Sequence, residues 1–124
     1  MSYQFGARSI RERDTCVPEL IQLADECIKF WNCSVLEGHR GEQKQNQYYA
    51  EKKSFLRYPH SKHNSMPSRA IHLAPWPIDW NDIERWQRFG FFVLGVAQSL
   101  GISNLQWGGL WRSLKDYAHF ELKE

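Results

Sequence analysis

The chain has 124 residues, of which 42% are hydrophobic and 24% are charged. This length and composition are typical of one globular domain, so we expect residues 1–124 to fold as a single unit. The 16 basic side chains nearly balance the 14 acidic ones, and a formal net charge of +2 gives no reason to expect a nucleic-acid partner.

The cysteines and the apolar segments exclude further classes of protein. Cys16, Cys27 and Cys33 cannot all pair with one another and form no Cys-x-x-Cys motif, so neither a disulfide scaffold nor a thiolate zinc knuckle is expected. The longest apolar run, residues 89–97, is far shorter than the roughly 20 residues of a membrane helix. The start of the chain lacks the basic and then apolar pattern of a signal peptide. We therefore expect a soluble protein that does not enter a membrane and is not exported by a signal peptide.

The first half of the chain predicts two helices that flank a short strand. Apolar residues recur at steps of three and four, and Pro18 suits a first helical turn, so a helix is predicted over about residues 18–30. The apolar residues 34–36 predict a buried strand, with Arg40 at its mouth. Residues 42–50, which are rich in Gln and Glu, predict a short amphipathic helix.

The second half predicts a long loop, a strand and the longest helix. Residues 52–69 show no sustained period and predict a loop, and loops of this length are usually functional or disordered. Residues 70–74 predict a buried strand that ends before Trp76 and its flanking prolines. Asp79 is the predicted N-cap of a helix that continues to Leu100.

The end of the chain predicts the remaining part of a sheet. Residues 105–107 and 117–122 both predict short strands, and the order of helices and strands predicts an α+β fold with a small, mainly antiparallel sheet. Trp residues usually pack, so five of them are expected in the core and in the walls of a groove, and the last two could alternatively contact a substrate: Trp76, Trp80, Trp86, Trp107 and Trp111.

The histidines indicate where chemistry could take place. His63 precedes His72 by nine residues, and His72 lies inside a predicted strand. His119 follows Asp116 by three residues. Catalytic zinc sites typically have three protein ligands and a water whose pKa the metal lowers to about 7, and Asp116 is spaced to act as a general base beside such a water. Single histidines are more often ordinary core or surface residues, so the spacing alone leaves both alternatives open.

Several short motifs along the chain form an ordered set. They are Phe5-Gly6-Ala7-Arg8-Ser9, Glu37-Gly38-His39-Arg40, Ser61-Lys62-His63, Ala70-Ile71-His72-Leu73-Ala74-Pro75-Trp76, Trp107-Gly108-Gly109 and Asp116-Tyr117-Ala118-His119-Phe120-Glu121-Leu122. In this order the motifs resemble the zinc peptidases of peptidoglycan, a family of VanY-like D-alanyl-D-alanine carboxypeptidases and phage endolysins that cut the L-alanyl-D-glutamate bond. The resemblance covers most of the chain. It implies a Hedgehog-like α+β fold, also called the DD-peptidase fold, with one zinc ion in a groove across the sheet.

The resemblance also implies roles for individual residues. His63 and His119 resemble zinc ligands, and Asp116 resembles the catalytic carboxylate. Arg40 resembles the residue that holds a substrate carboxylate or carbonyl. Ser61 resembles a hydrogen-bond donor to the substrate.

Two positions depart from the pattern of this family. The second zinc ligand is normally Asp, and His72 stands in its place. A three-histidine zinc site is chemically sound, but a neutral ligand makes the metal centre more positive and an imidazole reaches farther than a carboxylate. Leu110 stands where relatives commonly have Asp, and a carboxylate lost there would loosen the orientation of the ligands. Gln45 matches a position that is often Gln in the family, and the sequence assigns it no role.

The sequence therefore predicts a zinc metallopeptidase that hydrolyses amide bonds of peptidoglycan stem peptides. It leaves open whether the bond is that of an endolysin-type L-alanyl-D-glutamate endopeptidase or of a D-Ala-D-Ala carboxypeptidase. In the predicted mechanism Zn²⁺ held by His63, His72 and His119 activates a water, and Asp116 accepts its proton. We expect a monomer that is made in the cytoplasm of a bacterial host and acts at the cell wall after release. The alternative is a catalytically impaired member of the family that serves as a zinc- or peptidoglycan-binding module.

Overall fold

A computed structural model describes residues 3–123, and its centre is a four-stranded antiparallel sheet. In the order β1-β2-β4-β3 across the sheet, the strands are β1 (Cys33–Glu37), β2 (Ala70–Pro75), β3 (Leu105–Trp107) and β4 (His119–Leu122). The helices of these residues are α1 (Ala7–Arg13), α2 (Pro18–Phe30), α3 (Glu42–Ala50) and α4 (Ile83–Ser99), and two short 3₁₀ turns span Lys62–Asn64 and Gly108–Leu110. The predicted α+β class and the mainly antiparallel sheet are confirmed.

The main core joins α2 and α4 to the sheet. Its fully buried large side chains include Leu20, Leu23, Ile71, Leu73, Phe89, Val93 and Phe120. Burial of one such side chain contributes about 1.5–3 kcal/mol, so this layer anchors the sheet. Successive side chains of a strand alternate between its two faces, so His72 lies on the face opposite to Ile71 and Leu73.

One helix was not predicted from the sequence. Helix α1 has seven residues, too few to show a clear apolar period, and no side chain caps it. It packs beside β1, where the hydroxyl of Ser9 accepts a hydrogen bond from the backbone N–H of Val35 at 3.0 Å. The helix therefore provides a hydrogen-bond acceptor for a backbone N–H of the edge strand β1. The local sequence does not reveal such a long-range contact.

Two predicted boundaries were wrong. Helix α4 is capped by Asp82, whose carboxylate accepts from the N–H of Arg85 at 3.2 Å, whereas Asp79 accepts from the N–H of Asn81 in the turn before the helix. Asp is a common N-cap residue, so the sequence alone allows either Asp79 or Asp82 to cap the helix. The turn between them, which the sequence pattern does not show, places Asp82 at the start of the helix. The last strand begins at His119 rather than at residue 117.

The tryptophans and cysteines divide between the core and the surface. Trp86 and Trp107 are buried as predicted, whereas Trp76 and Trp80 are 53% and 60% exposed. All three cysteines are buried and free. None of the helices within residues 3–123 is long and apolar enough to cross a membrane.

Candidate metal centre

Three histidines that are far apart in the sequence meet at the sheet. His63, His72 and His119 each offer one ring nitrogen, and these three atoms lie within 4.8 Å of one another. His119 Nδ1 is 3.3 Å from His63 Nε2 and 3.2 Å from His72 Nε2. We call these residues the histidine group. Two of its members are almost fully buried, and the side chain of His72 is 18% exposed, so the group opens to solvent beside His72.

Strand pairing brings two members of the group together. His72 on β2 lies directly opposite His119 on β4 in an antiparallel register. Residues in such a pair have side chains on the same face and their Cβ atoms about 5 Å apart. The sheet alone therefore sets the spacing of these two rings.

His63 reaches the group from a 3₁₀ turn. Ser61 caps this turn, because its hydroxyl accepts a hydrogen bond from the N–H of His63 at 3.2 Å and Asn64 bonds back to the N–H of Ser61. The Nδ1–H of His63 donates to the carbonyl oxygen of Gly38 at 2.6 Å. That bond leaves the Nε2 lone pair directed at the other two rings.

His119 is held by a carboxylate that the sequence analysis missed. Its Nε2–H donates to Glu121 Oε1 at 2.7 Å, which leaves Nδ1 free to act as a ligand atom. Glu121 stands two residues after His119 on β4, so the strand places both side chains on the same face. The His-x-Glu spacing within a predicted strand was the available signal.

Asp116 lies at the open side of the histidine group. Its Oδ2 is 3.6 Å from His72 Nε2, and its side chain is 39% exposed. Burial raises the pKa of this carboxyl, while the nearby His119 lowers it in part. The neighbouring Lys115 donates to the backbone oxygens of Gly109 and Trp111 rather than to Asp116. The carboxylate is therefore placed to exchange protons with a group beside His72.

Arg40 is buried next to the group and does not face open solvent. Its guanidinium is only 5% exposed, and it donates to Glu37 Oε1 and, at 2.9 Å, to Gln45 Oε1. Glu37 Oε1 is also 3.9 Å from His72 Nδ1. Burial raises the pKa of Glu37, but the hydrogen bonds from Arg40 and Lys44 outweigh it and hold the pKa below its usual value. A buried ion pair between Arg40 and Glu37 thus lies next to His72 of the histidine group.

Gln45 connects Arg40 to two other segments. Its Oε1 accepts from Arg40 and from Asn64, and its Nε2 donates to the carbonyl oxygen of Leu56. The side chain is fully buried, so these bonds replace its contacts with water. Gln45 therefore ties the 3₁₀ turn that carries His63 to the long loop.

The remaining histidines lie outside the group. His60 is exposed, and His39 is half-buried with its Nδ1 3.0 Å from the carbonyl oxygen of Ser65. Leu110, the second departure from the family pattern, is 58% exposed. The bonds that orient the rings of His63 and His119 come instead from Gly38 and Glu121.

The electrostatic surroundings of His63 and His72 favour neutral rings. Burial, together with the neighbouring imidazoles, lowers the pKa of His63 and of His72 well below the usual value. Histidines bind metal ions as neutral imidazoles, so the surroundings of His63 and His72 favour the form of the ring that binds a metal ion.

Two of the three separations between the ligand nitrogens fit a tetrahedral ion. Metal–nitrogen bonds of about 2.0–2.1 Å hold neighbouring ligand atoms about 3.3–3.4 Å apart. The separations of 3.2 and 3.3 Å from His119 Nδ1 agree with this, all three nitrogens lie within 4.8 Å of one another, and three nitrogen ligands leave a fourth position open. His63, His72 and His119 thus form a group that could hold a metal ion.

The fold and the site together define a class of protein. It is a small α+β domain in which three imidazoles could hold a metal ion beside a partly exposed carboxylate. The sequence model of the phage L-alanyl-D-glutamate peptidases matches residues 1–123. The chain belongs to this family.

Two similar proteins support this assignment. The L-alanyl-D-glutamate peptidase of Escherichia phage T5 is 32% identical over 128 residues, which cover 99% of this chain and 91% of the phage protein. The crystal structure of the Serratia marcescens L-Ala D-Glu endopeptidase ChiX superposes with a TM-score of 0.81 and 25% identity, covering 97% of this chain and 90% of that protein. The predicted resemblance to peptidoglycan peptidases, and with it the assignment as a peptidase, is confirmed.

Proposed function

We propose that the protein is a zinc-dependent endopeptidase that cuts the L-alanyl-D-glutamate bond of peptidoglycan stem peptides. The observation that carries the proposal is the convergence of His63, His72 and His119 with Asp116 beside them. The names of the family and of both relatives support the endopeptidase bond over the carboxypeptidase bond that the sequence left open.

The proposed ligands of the metal are His63 Nε2, His72 Nε2 and His119 Nδ1. A site with three nitrogen ligands and one open position suits zinc, which when bound acidifies a water and polarises a carbonyl group. Hydrogen bonds from the rings to Gly38 and Glu121 keep the ligand nitrogens of His63 and His119 directed at each other.

Asp116 is the proposed general base and acid. Its carboxylate accepts the proton of the attacking water and later donates it to the nitrogen of the departing D-glutamyl residue. Burial raises its pKa, which makes the carboxyl a better proton acceptor than an ordinary surface Asp. Its partial exposure leaves room for substrate at the same side.

Arg40 and Ser61 are the proposed substrate-binding residues, although the guanidinium of Arg40 already donates to Glu37 and Gln45 and is only 5% exposed. Both belong to segments that position His63: the N–H of Arg40 donates to the carbonyl oxygen of His63 at 2.8 Å, and Ser61 caps the 3₁₀ turn. If they contact substrate, Arg40→Lys and Ser61→Ala raise KM more than they lower kcat. A loss of bound zinc in either variant would instead assign it a role in holding the histidine group.

The biological setting belongs to the same proposal. We propose that residues 1–124 act as one monomeric domain on peptidoglycan. Synthesis in the cytoplasm of a bacterial host and later release to the cell wall are supported by the phage source of the T5 relative.

The test combines metal content with a defined product. Purified protein is expected to bind one equivalent of zinc and to release fragments with a new amino-terminal D-glutamyl residue from peptidoglycan, identified by mass spectrometry. Asp116→Asn should keep its zinc and lower kcat by about 10²- to 10⁴-fold. Asp14→Asn, which changes an exposed acid of an ion pair on α1, serves as the control and should leave kcat unchanged.

One observation favours a second candidate function. His72 replaces the Asp that is normal in the family, so the protein could serve as a zinc- or peptidoglycan-binding module. Zinc-loaded protein that cuts nothing, and that gains activity in His72→Asp, would support the module. Cleavage by the unchanged protein would exclude it.

A further inference from the structure

A second concave surface lies between α1, β1 and the segment after β2. It has a volume of about 520 Å³, and its walls include Arg8, Asn32, Ser34, Leu36, Trp76 and Ile78. Trp76 leaves more than half of its surface to solvent. We call this surface the Trp76 cleft. A concave site with an aromatic wall and a few polar side chains is the usual form of a small-molecule binding site.

The indole of Trp76 stands on a fixed piece of backbone. The backbone N–H of Trp76 donates to the carbonyl oxygen of Asn32 at 2.8 Å. The guanidinium of Arg85 donates to the carbonyl oxygens of Trp76 and Pro77 at 2.8 and 2.7 Å. An exposed aromatic ring on an ordered backbone offers a large contact area at little further cost in conformational entropy.

The cleft adjoins the histidine group along the sheet. Trp76 follows β2 four residues after His72, which at about 3.3 Å per residue is about 13 Å along the strand. Leu36 and Ile78 of the cleft also pack on a small apolar cluster that contains Ala118, the residue before His119. One face of the sheet therefore carries both the cleft and the proposed catalytic site.

We infer that the Trp76 cleft binds the glycan strand of peptidoglycan, at the amino sugar that carries the stem peptide. This inference rests on the proposed function. In peptidoglycan the L-alanine is joined to that sugar through a lactyl ether, so one amino acid and one lactyl unit separate the scissile carbonyl from the sugar. Two extended units span about 7 Å, and the next sugar lies farther out. This linker covers about half of the roughly 13 Å between His72 and Trp76 along the strand, and the pyranose ring of the amino sugar extends across the remainder toward the indole.

The chemistry of the cleft suits a sugar. The flat face of an indole packs against the C–H face of a pyranose ring, and Trp combines a large apolar surface with a polar edge. Asn32 and Ser34 supply amide and hydroxyl groups for sugar hydroxyls and acetamido groups, and Arg8 is exposed at the rim. Charge does not drive this contact, because the sugar is neutral apart from the lactyl-linked peptide.

The test compares two substrates that differ only in the sugar. One is the stem peptide with a free lactyl group on its L-alanine, and the other is the same lactyl peptide attached to its disaccharide. The zinc-loaded protein should have a higher kcat/KM for the disaccharide peptide. Trp76→Ala should lower the ratio of the two kcat/KM values by about tenfold, and Trp76→Phe should restore part of it.

Phe91→Ala provides a matched control. Phe91 is an aromatic residue of α4 that is 58% exposed and does not line the cleft, so its loss should leave the ratio unchanged. An unchanged ratio in Trp76→Ala, or equal use of both substrates by the original protein, would overturn the inference while leaving the proposed function intact.

A binding measurement separates the two proposals. In the Asp116→Asn variant, the affinity for the disaccharide peptide is measured by calorimetry with and without Trp76→Ala. The inference expects the affinity to fall about tenfold. If neither substrate is ever cut but this difference remains, the proposed function fails and the glycan contact stands. If the affinity does not change, the glycan contact is wrong whatever the activity.

Discussion

His119 shows how one neighbour decides which nitrogen of an imidazole can act as a ligand. Glu121 takes the Nε2–H at 2.7 Å, so the lone pair of Nδ1 is the one that faces the other two rings. In His63 the two nitrogens have the opposite roles: the carbonyl oxygen of Gly38 accepts from Nδ1–H, so the lone pair of Nε2 faces the other two rings. These two bonds fix the tautomers before any metal ion binds.

Glu121→Gln should therefore weaken zinc binding without unfolding the protein. A neutral amide is a poorer acceptor than a carboxylate and holds the ring less firmly, so we expect the zinc Kd to rise about 10- to 100-fold. Competition with a fluorescent chelator measures the Kd. The matched control is Glu84→Gln, a change at an exposed position of α4. Equal zinc affinity in both variants would show that Glu121 is only structural.

The sequence predicts the residues of the candidate site better than their contacts. His63, His72 and His119 could be selected because their motifs occur in the order of a known family, and the structure brings them together. The burial of Arg40 against Glu37 and Gln45 could not be predicted, because it depends on how three separate segments pack. The order of motifs indicates which residues form the site, whereas the burial of a side chain depends on how the folded chain packs.

At the scale of elements, the close contact between Gly38 and the end of α1 positions the carbonyl oxygen that accepts a hydrogen bond from His63. A Cβ atom on Gly38 would lie 2.2 Å from Thr15 Oγ1 and 2.4 Å from the carbonyl oxygen of Glu12. No side chain fits there, so only glycine lets this segment approach the end of α1. The same residue provides the carbonyl that orients His63.

Gly38→Ala should lower both stability and metal affinity. The added methyl group must push the backbone away from α1, at a cost of about 1–3 kcal/mol in the free energy of unfolding, and it displaces the acceptor of His63. Urea denaturation and zinc titration measure the two effects. Gly41→Ala is the matched control, since a Cβ there meets nothing within 4 Å; the loss of the N-cap Gly should cost only about 0.5–1 kcal/mol in the free energy of unfolding and leave the zinc affinity unchanged. Similar losses in the two variants would contradict this explanation.

Helix α4 allows a second comparison of paired glycines. A Cβ on Gly90 would lie 2.0 Å from the ring of Trp107, whereas one on Gly95 meets nothing within 4 Å. Gly90→Ala should therefore destabilise the protein by about 1–3 kcal/mol, and Gly95→Ala should stabilise it by up to about 1 kcal/mol through helix propensity. Thermal denaturation distinguishes them, and a stabilising Gly90→Ala would refute the proposed packing of α4 on β3.

Local patterns predicted the long elements and failed where tertiary contacts decide. Helix α2 has the predicted bounds because thirteen residues of helical period define a buried face. Helix α1 is too short for such a signal and is held by its contact with β1. The exposure of Trp76 also escaped prediction, since aromatic residues pack more often than not.

For the whole molecule, the buried thiols make stability depend on alkaline pH. Burial raises the pKa of Cys16 and of Cys33 from the ordinary value of about 9 to about 12. A thiol whose pKa is higher in the folded state stays protonated there, while the unfolded chain loses the proton. The stabilising contribution is therefore complete below about pH 9 and decreases as the pH rises toward about 12.

The Cys16→Ala and Cys33→Ala double variant isolates this effect from other groups that titrate at high pH. Urea denaturation of the metal-free protein at several pH values gives the slope of the unfolding free energy. Each thiol can contribute up to about 1.4 kcal/mol per pH unit, so the original protein should lose stability more steeply above pH 9 than the double variant. Parallel slopes would mean that the thiols ionise as readily in the folded protein as in the unfolded chain, and the expected effect of their burial would be wrong.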